Sequence, residues 1–246
     1  MKLILLGTSG YHPNDHRQTA CLMLPELGIV LDAGTAMYRA RKFLATPELD
    51  IFLTHAHLDH VIGITYLIDV LRDKNMRRVT VHAESDKLAA IDAHLFAEAL
   101  FPVKPPCDFR ALSGPIELAQ GGRLTYFPLE HPGGAIGFRL DWPGHSMAYV
   151  TDTTARDDSA YLGAIRGVDL LVHECYFPDS MQELATLTGH SVATPVARLA
   201  SRAGVGQLVL VHVDPMVDEP EPLDLTSARK LFRNTHQGRD LMEIEF

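Results

Sequence analysis

The sequence predicts an α/β fold in which two β-sheets are sandwiched between helices. Three observations lead there. Short apolar β-type runs recur along 246 residues that are 46% hydrophobic. Each half of the chain sets several such runs before helical stretches. No flexible linker, low-complexity segment or repeat separates the halves, so the whole chain, 1–246, is expected to form a single domain.

The elements follow in order. Strands are expected at "KLILLG" (2–7), "ACLMLP" (20–25), "GIVLDAG" (28–34) and "DIFLTHA" (50–56), each apolar and bounded by turn residues. "TAMYRARKFLA" (35–45) opens on Thr35 and has few breakers, which predicts a helix. "RRVTVHA" (77–83) is a further strand, and "ESDKLAAIDAHLFAEAL" (84–100) a helix. The proline-rich "PVKPPCDFRALSGP" (102–115) interrupts the regular pattern. Strands resume at "RLTYFPLEH" (123–131), "AIGFRLDW" (135–142) and "SMAYVTDT" (146–153). "GVDLLVHECYF" and "GQLVLVHVDP" are two more, with the helical "SVATPVARLASRAG" between them.

Bulk properties exclude several classes. The formal charge of −9 argues against a broad surface that tracks phosphates. Cys21, Cys107 and Cys175 are widely separated and cannot all pair, which suits a reducing compartment. Only four apolar residues precede Gly7, too few for a signal peptide. No apolar run approaches the ~18 residues of a membrane helix. A soluble, cytoplasmic protein is expected, with no membrane partner; a homodimer is left open.

Chemistry concentrates where strands end. "FLTHAHLDHVIG" (52–63) packs His55, His57, Asp59 and His60 into six positions. "FPLEHPGG" places His131 after an apolar run, "AYVTDTT" places Asp152, and "LVLVHVD" places His212. One histidine at a strand end is ordinarily a hydrogen-bonded surface residue. Four such strand ends in one chain point instead to metal ligands held on loops by a rigid scaffold.

His55-x-His57-x-Asp59-His60 followed by His131, Asp152 and His212 resembles the signature of the metallo-β-lactamase superfamily. The resemblance implies an αβ/βα sandwich of two mixed sheets flanked by helices. It also implies two divalent ions, zinc first, with manganese or iron as substitutes. His55, His57 and His131 would hold one ion, Asp59, His60 and His212 the second, and Asp152 would bridge them. Two ions sharing a carboxylate and a water bring the water's pKa towards neutrality and stabilise both oxygens of a phosphoryl displacement. A glutamate in the slot of His57 would point to di-iron redox members; the histidine favours hydrolysis.

"LLVHECYF" (170–177) and "TGHSVATPVARLASRAGVGQLVLVH" (188–212) are similar to the ribonuclease Z group, as is the opening "LLGTSGYHPNDHRQTACLML". The resemblance places a catalytic acid at His190, with Asp59 as a further catalytic group. Taken singly, His190 would be a loop residue before a helix with Ser191 as N-cap. His173 and Glu174 are expected to be structural. His12 and His16 sit in the glycine-turn loop, where lining the pocket is one reading and solvent exposure the preferred one; His82, His94, His145 and His236 are expected to carry no function.

Two features depart from that group. Ribonuclease Z enzymes carry a tRNA-gripping arm, commonly between the slots of His131 and Asp152, where this chain has room only for two strands and a turn. After His212 the chain reads "VDPMVDEPEPLD", which is acidic. The arrangement is more similar to arm-less phosphodiesterases. The expected partner is therefore a small or cyclic phosphodiester, or another small ester, and extended nucleic acid is disfavoured. Lactone or thioester hydrolysis and tRNA 3′ processing are the alternative activities, and a non-catalytic metal-binding module is the third reading.

Overall fold

The first strand, β1 (Lys2–Gly7, KLILLG), is buried at every position but Lys2. A run with no polar alternation belongs inside a sheet covered on both faces, and that is where it sits. The computed structural model describes residues 1–217, 219 and 221–246. They fold as two units, Met1–Ser113 with Asp240–Glu245, and Gly114–Arg239 with Phe246. Each carries one mixed seven-stranded sheet flanked by helices.

In the first unit β1 pairs antiparallel with β2 (Cys21–Leu24) and with the C-terminal strand β14 (Met242–Glu245). β3 (Ile29–Leu31), β4 (Glu48–Phe52), β5 (Arg78–Ala83) and β6 (Asp108–Ala111) then run parallel to one another. Parallel pairing needs crossovers, and short helical segments supply them. A 3₁₀ turn (Thr35–Arg39) leads into α1 (Ala40–Phe43), then come α2 (Leu58–Val61) and α3 (Leu67–Val70), and α4 (Ser85–Ala90) follows β5. Their buried residues, Met37, Ala40, Val61, Leu67, Val70 and Leu88, join Ile4, Met23, Val30, Ile51 and Val81 in one core. At roughly 1.5–3 kcal/mol for each large side chain removed from water, this burial is what keeps four-residue helices folded.

The second unit repeats the plan. β7 (Ile116–Leu118), β8 (Gly122–Leu129), β9 (Ala135–Trp142) and β10 (His145–Val150) are antiparallel. β11 (Leu170–Glu174), β12 (Gln207–Val211) and β13 (Thr235–Gln237) continue from β10 in parallel. α5 (Gln182–Thr188), α6 (Ala193–Ala203) and α7 (Thr226–Leu231) complete the unit. α6 buries Ala193, Val196, Ala197, Ala200 and Ala203, the i, i+3, i+4, i+7 face of an amphipathic helix. Pro195 falls in its first turn, where no intrahelical N–H is lost. Gly204, at φ 65°, closes it in the left-handed conformation.

Several expectations need correction. The strand expected at 50–56 ends at Phe52, because the backbone N–H of Thr54 turns away to bond the Asp32 carboxylate at 2.8 Å. The helix expected over 84–100 is α4 followed by a π-type turn at Ile91–Leu95. The irregular 102–115 stretch contains β6, exposed at every position but Phe109, which packs against the core, as befits an edge strand. Ser191 is not an N-cap; α6 starts after Val192. The acidic stretch after His212 includes residues 218 and 220, which lie outside the described residues. No helix among the described residues is long and apolar enough to cross a membrane.

One ion cluster supports the first sheet. Asp50 on β4 accepts from Arg78 (2.5 and 2.7 Å) and lies 2.8 Å from His82 Nε2, both on neighbouring β5. Burial alone would raise the Asp50 pKa, but Arg78 and His82 outweigh it and hold it at about 2. A carboxyl depressed when folded stabilises the protein above its unfolded pKa of 3.8, and that stability is lost as pH falls towards 2. Asp50→Asn is expected to cost about 1–2 kcal/mol at pH 7 in urea unfolding, after discounting for partial exposure, and almost nothing near pH 2.

Candidate metal centre

The candidate residues of the first unit follow the carboxyl ends of β3 and β4, where ligands of parallel sheets collect. Asp32 comes directly after β3, is fully buried, and has φ 58°, a left-handed conformation uncommon outside glycine. Its Oδ1 accepts the Thr54 N–H, and the Thr54 hydroxyl bonds the same carboxylate. Its Oδ2 lies 2.8 Å from His60 Nδ1. That contact fixes the His60 ring and turns Nε2 towards Asp59, 3.4 Å from Oδ2. His55 packs against both neighbours, its ring centroid 4.5 Å from that of His57 and 4.2 Å from that of His60. The motif can approach β3 only because Gly34 lacks a side chain. A Cβ there would meet the Asp59 carbonyl at 2.2 Å and the Ala20 carbonyl at 2.7 Å, both rigid backbone.

In the second unit Asp152 follows β10, His131 follows β8 and His212 follows β12. Asp152 is buried and presents one oxygen to each imidazole. Oδ2 lies 3.6 Å from His131 Nε2 and Oδ1 lies 3.3 Å from His212 Nε2. The Thr151 hydroxyl donates to Oδ1 at 2.5 Å and holds the carboxylate in place. His212 has φ 58°, strain of the kind that clusters at functional sites. Asp152, His190 and His212 each offer a ligand atom within 4.8 Å of the others. Behind His190, Glu174 at the end of β11 is fully buried, with Oε1 3.6 Å from His190 Nδ1. The Tyr176 ring stacks on the imidazole at 4.6 Å and 24°. Ser191 is a staple, donating to the Thr153 carbonyl (2.7 Å) and accepting from the Ala155 N–H (2.8 Å). It ties the loop after Asp152 to the loop of His190.

The other expected residues fall as follows. His173 is structural, buried between the Tyr161 hydroxyl (2.9 Å) and the Glu174 carbonyl, and burial lowers its pKa. His82 belongs to the Asp50 cluster, and His236 contacts Asn234. His16 is exposed and His12 half-buried. Asp32, and the position of Glu174 behind His190, are features of the candidate site that motif spacing does not reveal. For Asp32 the signal was present, since "GIVLD" ends a strand on an acid as "AYV-T-D" does.

These residues suit a divalent cation. Two donors each about 2.0–2.1 Å from a tetrahedral zinc stand roughly 3.3 Å apart. That is the spacing of His212 from Asp152 and of His60 from Asp59, and it exceeds the usual hydrogen-bond length. The Asp32–His60 pair has the carboxylate–histidine form that orients metal ligands. Asp32→Asn is expected to weaken metal retention by roughly 10–100-fold, measured by chelator competition, with the fold intact by circular dichroism.

A model of the beta-lactamase superfamily domain matches residues 28–213, three quarters of the chain. The chain belongs to the metallo-β-lactamase superfamily. It is a metal-dependent hydrolase of the ribonuclease Z-like group. Ribonuclease Z of Methanosarcina acetivorans is 43% identical over 302 aligned residues, covering 100% of this chain and 98% of that protein. Among solved structures, the metallo-beta-lactamase fold protein YhfI from Bacillus subtilis superposes with a TM-score of 0.79 at 20% identity over 99% of both chains. Human tRNase Z, short form, does so with 0.77 at 18%, over 100% of this chain and 99% of that one. The two mixed sheets flanked by helices are therefore the metallo-β-lactamase fold, as the sequence leads one to expect.

Proposed function

We propose that this superfamily member is a dinuclear phosphodiesterase acting on small or cyclic phosphodiesters. The observation that carries the reading is the connection from His131 to Asp152. It is filled by β9 and β10 and their tight turns, with Gly133 and Gly134 at one and Gly144 at the other, all at positive φ. No arm projects there to hold a large RNA. The 302-position alignment on a 246-residue chain agrees, since the methanogen relative holds stretches with no counterpart here.

In this reading His55, His57 and His131 would hold one ion, Asp59, His60 and His212 would hold a second, and Asp152 would serve both. When bound, the ions supply Lewis acidity at the phosphoryl oxygens and a nucleophile at neutral pH. Zinc suits the donor set first, with manganese or iron as substitutes. The protein's own part is orientation and proton transfer. Asp32 and Thr54 fix His60, and Thr151 fixes Asp152. His190 would give a proton from the nitrogen turned away from Glu174 to the departing alkoxide. Tyr176 stacks on the ring and restricts its orientation.

Two measurements test the proposal. Protein reconstituted with zinc or manganese is expected to hold about two ions per chain by elemental analysis; one ion or none defeats the dinuclear reading. Turnover of bis(p-nitrophenyl) phosphate should exceed that of lactones and thioesters. The second reading, tRNA 3′ processing, is favoured by the name and 43% identity of the methanogen relative.

A further inference from the structure

The loop between β1 and β2 carries a feature that hydrolysis itself does not require. Tyr11 stands at its tip with 75% of its surface exposed and φ 55°. Bulky residues rarely take that left-handed conformation, which glycine or asparagine would adopt at less cost. The conformation aims the Tyr11 backbone N–H at Asp59 Oδ2, 2.9 Å away. A glycine would donate the same bond, so the hydrogen bond alone does not account for an aromatic ring there.

The loop beneath the ring is rigid. Asn14 Oδ1 accepts the N–H groups of His16 (3.0 Å) and Arg17 (2.8 Å), and the Ser9 hydroxyl donates to the His12 carbonyl at 3.0 Å. At the base, the buried Asp240 carboxylate accepts from Thr8 N (3.0 Å), Thr8 Oγ1 (2.8 Å), Gln18 N (2.7 Å) and Arg39 (2.5 Å). The Tyr11 ring meets His12 edge to face, at 5.4 Å and 62°. An edge contact braces one side of a ring and leaves a π-face open. Tyr11 is thus an exposed aromatic ring carried on a hydrogen-bonded loop whose backbone reaches Asp59 directly.

We propose that Tyr11 is a specificity-determining residue that stacks on a nucleobase of the substrate, so that the small phosphodiesters preferred are nucleotides. This rests on the phosphodiesterase reading above. Base-on-aromatic stacking tolerates any base, so the preference is for the presence of a base rather than for its identity.

The test uses Tyr11→Asn, which removes the ring but accepts left-handed backbone and so keeps the N–H on Asp59. Tyr11→Trp restores a stacking surface. The substrates are adenosine 2′,3′-cyclic phosphate and glycerol 1,2-cyclic phosphate, which share the five-membered phosphodiester and differ in the base. Tyr11→Asn is expected to lower kcat/KM for the adenosine substrate roughly 5- to 100-fold, chiefly through KM, and to leave the glycerol substrate nearly unchanged. Tyr11→Trp should recover the loss. Calorimetric binding of adenosine 2′-monophosphate to the metal-loaded protein should weaken and recover in parallel. Equal losses on both substrates, or unaltered nucleotide binding in Tyr11→Asn, would overturn the stacking role. If the parent protein turns over neither substrate while its nucleotide binding still depends on Tyr11, the phosphodiesterase reading fails and the aromatic subsite stands.

Discussion

Replacing Asp152 with alanine is expected to lower phosphodiester turnover by more than roughly 10³-fold and to halve or abolish bound metal. Loss of an outer partner of a ligand costs about 10–100-fold, and Asp152 is placed to be a ligand twice over. Its two oxygens face different imidazoles, Oδ2 towards His131 and Oδ1 towards His212. Removing it takes the carboxylate from between His131 and His212 and leaves the Thr151 hydroxyl without its acceptor at 2.5 Å. Metal content and kcat measured on the same preparation decide the matter. A variant that keeps two ions and most of its rate would remove Asp152 from the bridging position. Buried groups lie on every side, so thermal unfolding of the metal-free variant is the control that separates lost ligation from lost fold.

His190→Ala is expected to slow turnover by roughly 10²–10⁴-fold while retaining the metal of the parent protein. The expectation rests on where the ring is held. Glu174 lies on its Nδ1 side, Tyr176 stacks on its face, and Asp152 and His212 converge on it. A proton donor matters most when the leaving alkoxide is basic. The loss should therefore be large for a nucleoside 2′,3′-cyclic phosphate and shrink for bis(p-nitrophenyl) phosphate, whose leaving group needs little protonation. An equal loss on both substrates would assign His190 to positioning. A loss of bound metal would make it a ligand, the other role its distance from Asp152 and His212 allows.

The parts of this molecule that local pattern could reveal were those with local causes. His55 to His60 are legible because six consecutive positions carry the chemistry, and His131, Asp152 and His212 because each interrupts an apolar run. Asp32 ends an apolar run as Asp152 does, but its partners Thr54 and His60 lie 22 and 28 residues later, so their convergence on it is not legible locally. α5 separates Glu174 from His190 in sequence, so only the folded chain brings the two together. β14 pairs with β1 from the opposite end of the chain, and no local periodicity reports such a partner. β6 was hidden by prolines and by the exposure of its edge position. The short helices after β4 were missed because they owe their existence to Val61, Ile64, Leu67 and Val70 packing into the core rather than to propensity.

We propose that this metallo-β-lactamase superfamily hydrolase prefers a small phosphodiester to structured RNA. The most direct test of that preference is the ratio of kcat/KM, on one zinc-reconstituted preparation at fixed salt, for adenosine 2′,3′-cyclic phosphate and for a 3′-extended precursor tRNA. The short passage from His131 to Asp152 and the net charge of −9 predict that the cyclic nucleotide has the higher value. Cleavage of the tRNA at its 3′ trailer with the higher kcat/KM would contradict that account.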